Sequence, residues 1–120
     1  MSKRKLKPVL PSLKEKKRYV AFRVISPKKV QRQDVIHTIE DTLTSSLGWF
    51  GRAQAGAWLV SDSWDDSSQS GLIRVNHRFV DQIKGSLTFI NSITESPVLV
   101  RSIGVSGILK KANAKRQQKG

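Results

Sequence analysis

The chain is 120 residues long, 38% hydrophobic and free of cysteine, and it carries a formal charge of +13. Those values exclude a disulfide framework, a thiolate metal site and more than one small core of about 90 residues. No run is apolar enough for a membrane span or signal peptide and no cysteine offers a lipid anchor, so a soluble cytoplasmic protein without a membrane partner is expected.

The charge sits at the two ends. Residues 1–18 hold eight Lys/Arg against Glu15 alone, and residues 108–120 hold five with no acid. Between them, residues 19–107 hold nine basic and eight acidic side chains. The chain therefore divides into a basic arm (1–18), one α/β domain (19–107) and a basic tail (108–120). A near-neutral body with two cationic extremities suits a protein that sits on a polyanion, because neutralising phosphates releases their counterions. The plain alternative is a pair of solvated tails.

In the arm, Ser12 stands three residues before Glu15, a capping-box spacing for one short helical turn. Tyr19 to Ile25 alternates as a strand, with Val20, Phe22 and Val24 on one face and Tyr19, Ala21 and Arg23 on the other. Ser26-Pro27 predicts a helix start. Val35, Ile36, Ile39, Leu43 and Leu47 supply its apolar stripe, and Gly48 is placed to end it. Arg52 to Ser61 reads as a second strand with Gly56 at a bulge. Ser61 to Ser70 is polar and aperiodic, a loop, and leads to a third strand from Gly71 to Asn76.

A second helix follows. Phe79, Ile83, Leu87 and Ile90 form its stripe, Val80 and Ile93 widen it, and Asn76 is its candidate cap. Gly85 within it suggests the close approach of a neighbour. Pro97 to Gly104 gives the last strand. The order β-α-β-β-α-β with right-handed crossovers predicts an α+β, ferredoxin-like (RRM-like) sandwich: a four-stranded antiparallel sheet with both helices on one face. The helix-free face is expected to stay open and to carry Tyr19, Arg23, Leu72 and Arg74.

No residue pattern makes an active site. His37 and His77 lack a third ligand at useful spacing and read as surface or cap residues. Asp65-Asp66 are neighbours in a serine-rich loop and point apart. Ser106 lacks a nucleophile elbow, and Gly104-x-x-Gly107 is only weakly like a phosphate-cradling turn. Trp58 reads as a core or sheet-face residue and Trp64 falls in the acidic loop. Trp49-Phe50 is either a helix-end plug or an exposed apolar surface for a protein partner.

Three blocks carry a family resemblance. Leu10-Pro-Ser-Leu-Lys-Glu-Lys-Lys-Arg-Tyr-Val-Ala-Phe22, Gly71-Leu-Ile-Arg-Val-Asn-His-Arg-Phe-Val80 and Val98-Leu-Val-Arg-Ser-Ile-Gly-Val-Ser-Gly107 with Lys110-Lys-Ala112 resemble archaeal ribonuclease P protein component 2. The eukaryotic counterpart of that family is a subunit of nuclear ribonuclease P. The departures are the length of the Ser61–Ser70 loop and Ile108, where a small polar residue is expected. The resemblance implies a non-catalytic subunit of a ribonucleoprotein that removes the 5′ leader from precursor tRNA. The ribonuclease P RNA would carry the hydrolysis with bound Mg2+, and this chain would hold no cofactor. Implied protein partners are ribonuclease P protein component 3, a TIM-barrel-like subunit, first as a heterodimer and then as a heterotetramer.

On that footing Lys14, Lys16, Lys17, Arg18, Lys110 and Lys111 are expected to contact RNA phosphates. Arg23, Arg74 and Arg78 add guanidinium contacts on or beside the sheet, against the alternative of ion pairs across the sheet face. Base stacking of the RRM kind is disfavoured, since Tyr19 alone is placed for it. Three rivals share the architecture: a ribosomal or other structured-RNA-binding protein, an acylphosphatase-like hydrolase and a dimeric ligand-binding domain. The hydrolase needs a glycine-bearing phosphate loop where this chain has Ser26-Pro27-Lys28-Lys29, and the ligand-binding domain has no use for cationic arms.

Overall fold

Alternation in the first strand sets the sandwich. The computed structural model describes residues 16–107, so the Ser12–Glu15 turn lies outside the described residues. β1 (Lys17–Ile25) starts two residues before Tyr19. Its Val20, Phe22 and Val24 are buried in the main core with Val35, Ile39, Leu43, Ile73, Ile83 and Leu87. β1 is central, antiparallel to β3 (Ser70–Asn76) on one side and to β6 (Leu99–Ser106) on the other, while β2 (Trp58–Asp65) pairs outside β3. The order β2-β3-β1-β6 is that of a ferredoxin-like sheet. Helix α1 (Arg32–Ala55) joins β1 to β2, and α2 (Val80–Leu87) lies between β3 and β6.

The first helix begins later than expected, and a second helical segment follows its Gly48 end. Ser26 does not cap it. The Ser26 hydroxyl closes a local turn, accepting from the Lys28 N–H (3.3 Å) and donating to the Lys28 carbonyl (2.5 Å). Val30 is then held outside the helix: its N–H donates to Gln69 Oε1 (2.8 Å), and its carbonyl accepts from Gln69 Nε2 (3.2 Å). With those groups satisfied across the molecule, the helix starts at Arg32. Gly48 (φ +74°, ψ 166°) is non-helical and ends the first helical segment, as its placement predicts; α1 is two helical segments that meet at this kink. The following Arg-Ala-Gln-Ala are strong helix formers and continue to Ala55, where Gly56 (φ +61°) provides the left-handed terminus. Gly56 is therefore a helix cap, not a bulge, and the second strand begins at Trp58 rather than Arg52.

The polar segment after it is mostly strand. β2 runs to Asp65, and only residues 66–69 turn. The β2–β3 ladder is irregular between Val60 and Asp65, and Ser63 fills the gap: its hydroxyl donates to Val60 O (2.5 Å) and accepts from the Leu72 N–H (2.9 Å). This irregularity turns Trp64 inward, against the Phe22 ring at 6.3 Å between centroids. A Cβ on Gly71 would lie 3.0 Å from Phe22 and 3.4 Å from Trp64, so the aromatic pair closes over a bare backbone. Trp64 is a core residue, not a loop residue.

A 3₁₀ turn (His77–Phe79) precedes α2, which stops at Leu87. Ile90 and Ile93 are buried but lie beyond it, Ile93 in a two-residue strand β4 (Ser92–Ile93) paired with β5 (Ser96–Pro97). Thr94 (φ +51°) and Glu95 (φ +66°) form the tip of that hairpin. Asn76 does not cap the turn. Its Nδ2 donates to Gln54 O (3.1 Å), tying β3 to the end of α1. Gly85 has nothing within 4 Å of a built Cβ, so no neighbour approaches there. The last strand starts at Leu99, after Pro97 has been used in β5.

Candidate nucleic-acid interface

The helix-free face is defined by the strand registers. Tyr19 sits opposite Arg74 and Ser106, Ala21 opposite Leu72 and Gly104, Arg23 opposite Ser70 and Arg101. Tyr19, Arg23, Leu72 and Arg74 share this face as the alternation predicts. Its centre, however, is not open. Ala21 and Leu72 are fully buried in a second small cluster walled by Tyr19, Val60 and Ile103. Exposed and half-buried cations lie around that centre.

One group gathers where β1 begins. The Lys16 carbonyl accepts the His77 N–H (2.9 Å), which brings the turn carrying exposed Arg78 beside the first strand. Lys17 Nζ reaches Asn76 Oδ1 (3.5 Å), and Arg18 Nη1 donates to Lys17 O (2.9 Å). The Arg18 guanidinium also lies against Gly107, where a built Cβ would stand 3.1 Å from Nη1. The start of β1 and the end of β6 are thus neighbours, and the described domain begins and ends at the same end of the sheet. Arg74, exposed, faces Tyr19 nearby. Arg23 is separate: it lies four residues along β1, ~13 Å from Tyr19, with Nε donating to Ser68 O (3.2 Å). Lys14, Lys110 and Lys111 lie outside the described residues.

Two arginines escaped the sequence reading. Arg101 is an exposed strand residue opposite Arg23. Arg52 is 2% exposed, the largest fully buried side chain. It donates to Ala57 O through Nε (3.3 Å) and Nη2 (3.2 Å), to Thr44 Oγ1 (3.0 Å) and to Glu40 Oε1 (2.5 Å). Its guanidinium stands 4.4 Å from the Trp58 ring centroid and 5.9 Å from that of Trp49. Spacing gave no clue, because the Gly48 kink, not a continuous helix, brings Arg52 back onto Thr44 and Glu40. Trp49 and Phe50 are 72% and 82% exposed, so they form surface rather than a plug. Trp49 lines a hollow of about 440 Å³ together with Glu40, Asp41, Thr44, Arg52 and Trp58.

Other titratable groups are occupied locally. His37 Nε2 pairs with Asp41 (3.1 Å) on the exposed face of α1. Asp65 accepts from the Ser67 hydroxyl (2.8 Å) and N–H (3.0 Å), which hold its carboxyl below the ordinary value. Asp66 instead meets Gln69 Nε2 (3.3 Å), so the adjacent acids serve different turn contacts. Among the described residues no three His, Asp or Glu cluster as metal ligands, and no helix is long and apolar enough to cross a membrane.

A ferredoxin-like α+β sandwich with cations around the rim of its helix-free sheet face is the class these observations define. Within that class the chain belongs to the Rpp14/Pop5 family, whose profile matches residues 18–116. It is 33% identical over 105 residues to ribonuclease P protein component 2 of Thermococcus kodakarensis, covering 88% of this chain and 86% of that one. The component 2 proteins of Pyrococcus furiosus and Methanocaldococcus jannaschii are each 34% identical. The matches cover 91% and 92% of this chain, and 89% and 79% of theirs. A chain in the cryo-EM structure of yeast ribonuclease MRP superposes with a TM-score of 0.59 at 18% identity, covering 88% of both chains, which shows the shared fold.

Proposed function

We propose that this chain is a non-catalytic protein subunit of ribonuclease P that binds the ribonuclease P RNA and supports removal of the 5′ leader from precursor tRNA. The observation that carries the reading is the family match over nearly the whole folded domain. The physics agrees with it. Lys16, Lys17, Arg18 and Arg78 meet where the domain begins and ends, so the two basic extremities of the sequence attach at neighbouring points. Cations grouped in this way neutralise several phosphates of one folded RNA at once.

Hydrolysis, on this reading, belongs to the RNA and its Mg2+. Among the described residues none is grouped as a metal centre would need: His37 and Asp41 engage each other, and Asp65 is committed to its own turn. Protein partners of the component 3 type, forming a heterodimer that joins into a heterotetramer, are supported by the exposed Trp49 and Phe50, since aromatic side chains are enriched in interfaces. The test is reconstitution with the RNA and component 3, followed by precursor-tRNA cleavage at limiting Mg2+. Adding the chain should raise the rate and lower the Mg2+ requirement, while the chain alone should leave precursor tRNA intact. An unchanged rate and Mg2+ requirement would overturn the proposal.

A further inference from the structure

Where β1 ends and β6 begins, two cross-strand pairs lie side by side on the helix-free face. Arg23 is opposite Arg101, and two residues further along β1 Ile25 is opposite Leu99. Like charges directly opposite on one sheet face repel, with side chains about 5 Å apart at Cβ. The fold nonetheless holds them there. Arg23 is anchored through Nε to Ser68 O (3.2 Å). Arg101 is exposed and has no carboxylate partner among the described residues.

Ile25 and Leu99 are 43% and 56% exposed, although Val24 and Val100 between the pairs are buried on the opposite face. The apolar pair stands about 7 Å from the arginine pair, two strand residues on. Two guanidiniums beside two aliphatic side chains match the two halves of a nucleotide: an anionic phosphate and the apolar faces of sugar and base. A forked guanidinium takes phosphate oxygens two at a time.

We propose that Arg23, Arg101, Ile25 and Leu99 form a single-nucleotide site on the RNA-binding surface, the arginines holding one phosphodiester and the aliphatic pair its adjoining sugar or base. This rests on the RNA-binding reading above and extends it to a part of the sheet ~13 Å from the terminal cluster. The occupant is a strand of RNA whose backbone continues from the terminal cations along the sheet rim.

The two halves have different signatures. Binding of the full chain to a fluorescein-labelled RNA hairpin is measured between about 50 and 200 mM salt. Arg101→Gln should weaken it about tenfold and lower the slope against salt by about one ion. Arg101→Lys should keep the slope while losing part of the affinity. Leu99→Ser should weaken binding about fivefold with the slope unchanged. Lys84→Gln, on α2, is the charge-matched control. If Arg101→Gln behaves as Lys84→Gln does, or Leu99→Ser binds as the unsubstituted chain does, the site is refuted and RNA binding by the terminal cations still stands. If the unsubstituted chain does not bind the hairpin, the RNA-binding reading itself fails, and the site with it.

Discussion

The corner around Arg52 and the strand end around Arg101 treat the same side chain in opposite ways. Arg52 spends its donors inward, on Ala57 O, Thr44 and Glu40, with indole rings over its plane. Arg101 keeps its own in water, opposite another arginine. The difference follows from position. Arg52 lies on the inner side of a helix that resumes after the Gly48 break, where an uncompensated charge would be prohibitive and is therefore paired. Arg101 lies on an exposed strand, where solvent carries the charge until a polyanion arrives. Arg52 builds structure, whereas Arg101 stands exposed where a polyanion can reach it.

The largest expected effect breaks the inward region. Arg52→Ala should cost about 3 kcal/mol, the lower end for a broken buried pair because the Glu40 side chain keeps a third of its surface in water. Urea unfolding, read by linear extrapolation, checks it. The remaining folded protein should bind RNA as before. A loss within ~0.5 kcal/mol, as for an ordinary surface substitution, would show that the Arg52 network is ornamental and would dissolve the contrast with Arg101.

Next comes the hairpin that anchors Arg23. Gly71→Ala places a methyl 3.0 Å from the Phe22 ring and 3.4 Å from Trp64, both packed in the core. Overpacking of this kind should cost about 2 kcal/mol, again measured in urea. The Ser68 anchor would then be supported by a displaced hairpin, and Arg23 would lose definition together with stability. If Gly71→Ala is neutral, the Phe22–Trp64 contact is loose and does not fix that end of the sheet.

How much of this was legible follows from which forces act locally. The strand β1, the apolar stripe through Val35, Ile39 and Leu43, and the overall order of elements are written as periodicity, and periodicity survives folding. The helix start was missed because Gln69, 39 residues from Val30, satisfies the Val30 backbone. No local signal carries a partner so distant. Gly48 does stop the first helical segment, and what the sequence hides is the second one: Arg52 to Ala55 favours helix, but the apolar residues that follow make the stretch read as strand. Trp64 was misplaced because one hydroxyl, Ser63, replaces a ladder bond and turns the next residue inward. The terminal cations could be named from charge alone, whereas the Arg23–Arg101 pairing depends on a register shift between Ala21 and Phe22 that no composition reveals.

A smaller effect should run in the stabilising direction. Thr94 and Glu95 hold left-handed backbone at the tip of the β4–β5 hairpin, just before Leu99. Such a conformation costs an L-residue roughly 1–2 kcal/mol, and glycine or asparagine tolerates it better. Thr94→Asn with Glu95→Gly should therefore raise stability by about 1 kcal/mol in urea. RNA affinity should be unchanged, apart from any gain from removing one acid near the outward region. A fall in affinity would mean that the hairpin tip itself takes part in recognition.

The smallest effect is a pH dependence at the turn between the two regions. The Ser67 hydroxyl and N–H favour the ionised Asp65 carboxylate, so its pKa is lower folded than unfolded. A depressed carboxylate contributes stability that is present above the unfolded value of about 3.9 and is lost as pH falls through the folded value. The unsubstituted chain should therefore unfold at a higher temperature than Asp65→Ala at neutral pH, with the two curves converging on acidification below about pH 4. Because the turn is exposed, the gap should be small and should shrink little with salt, since the stabilising contacts are hydrogen bonds rather than an ion pair. A gap that persists unchanged in acid would show that Asp65 acts through its shape in the turn. The Ser68 carbonyl would then be presented to Arg23 without help from the ionised carboxylate.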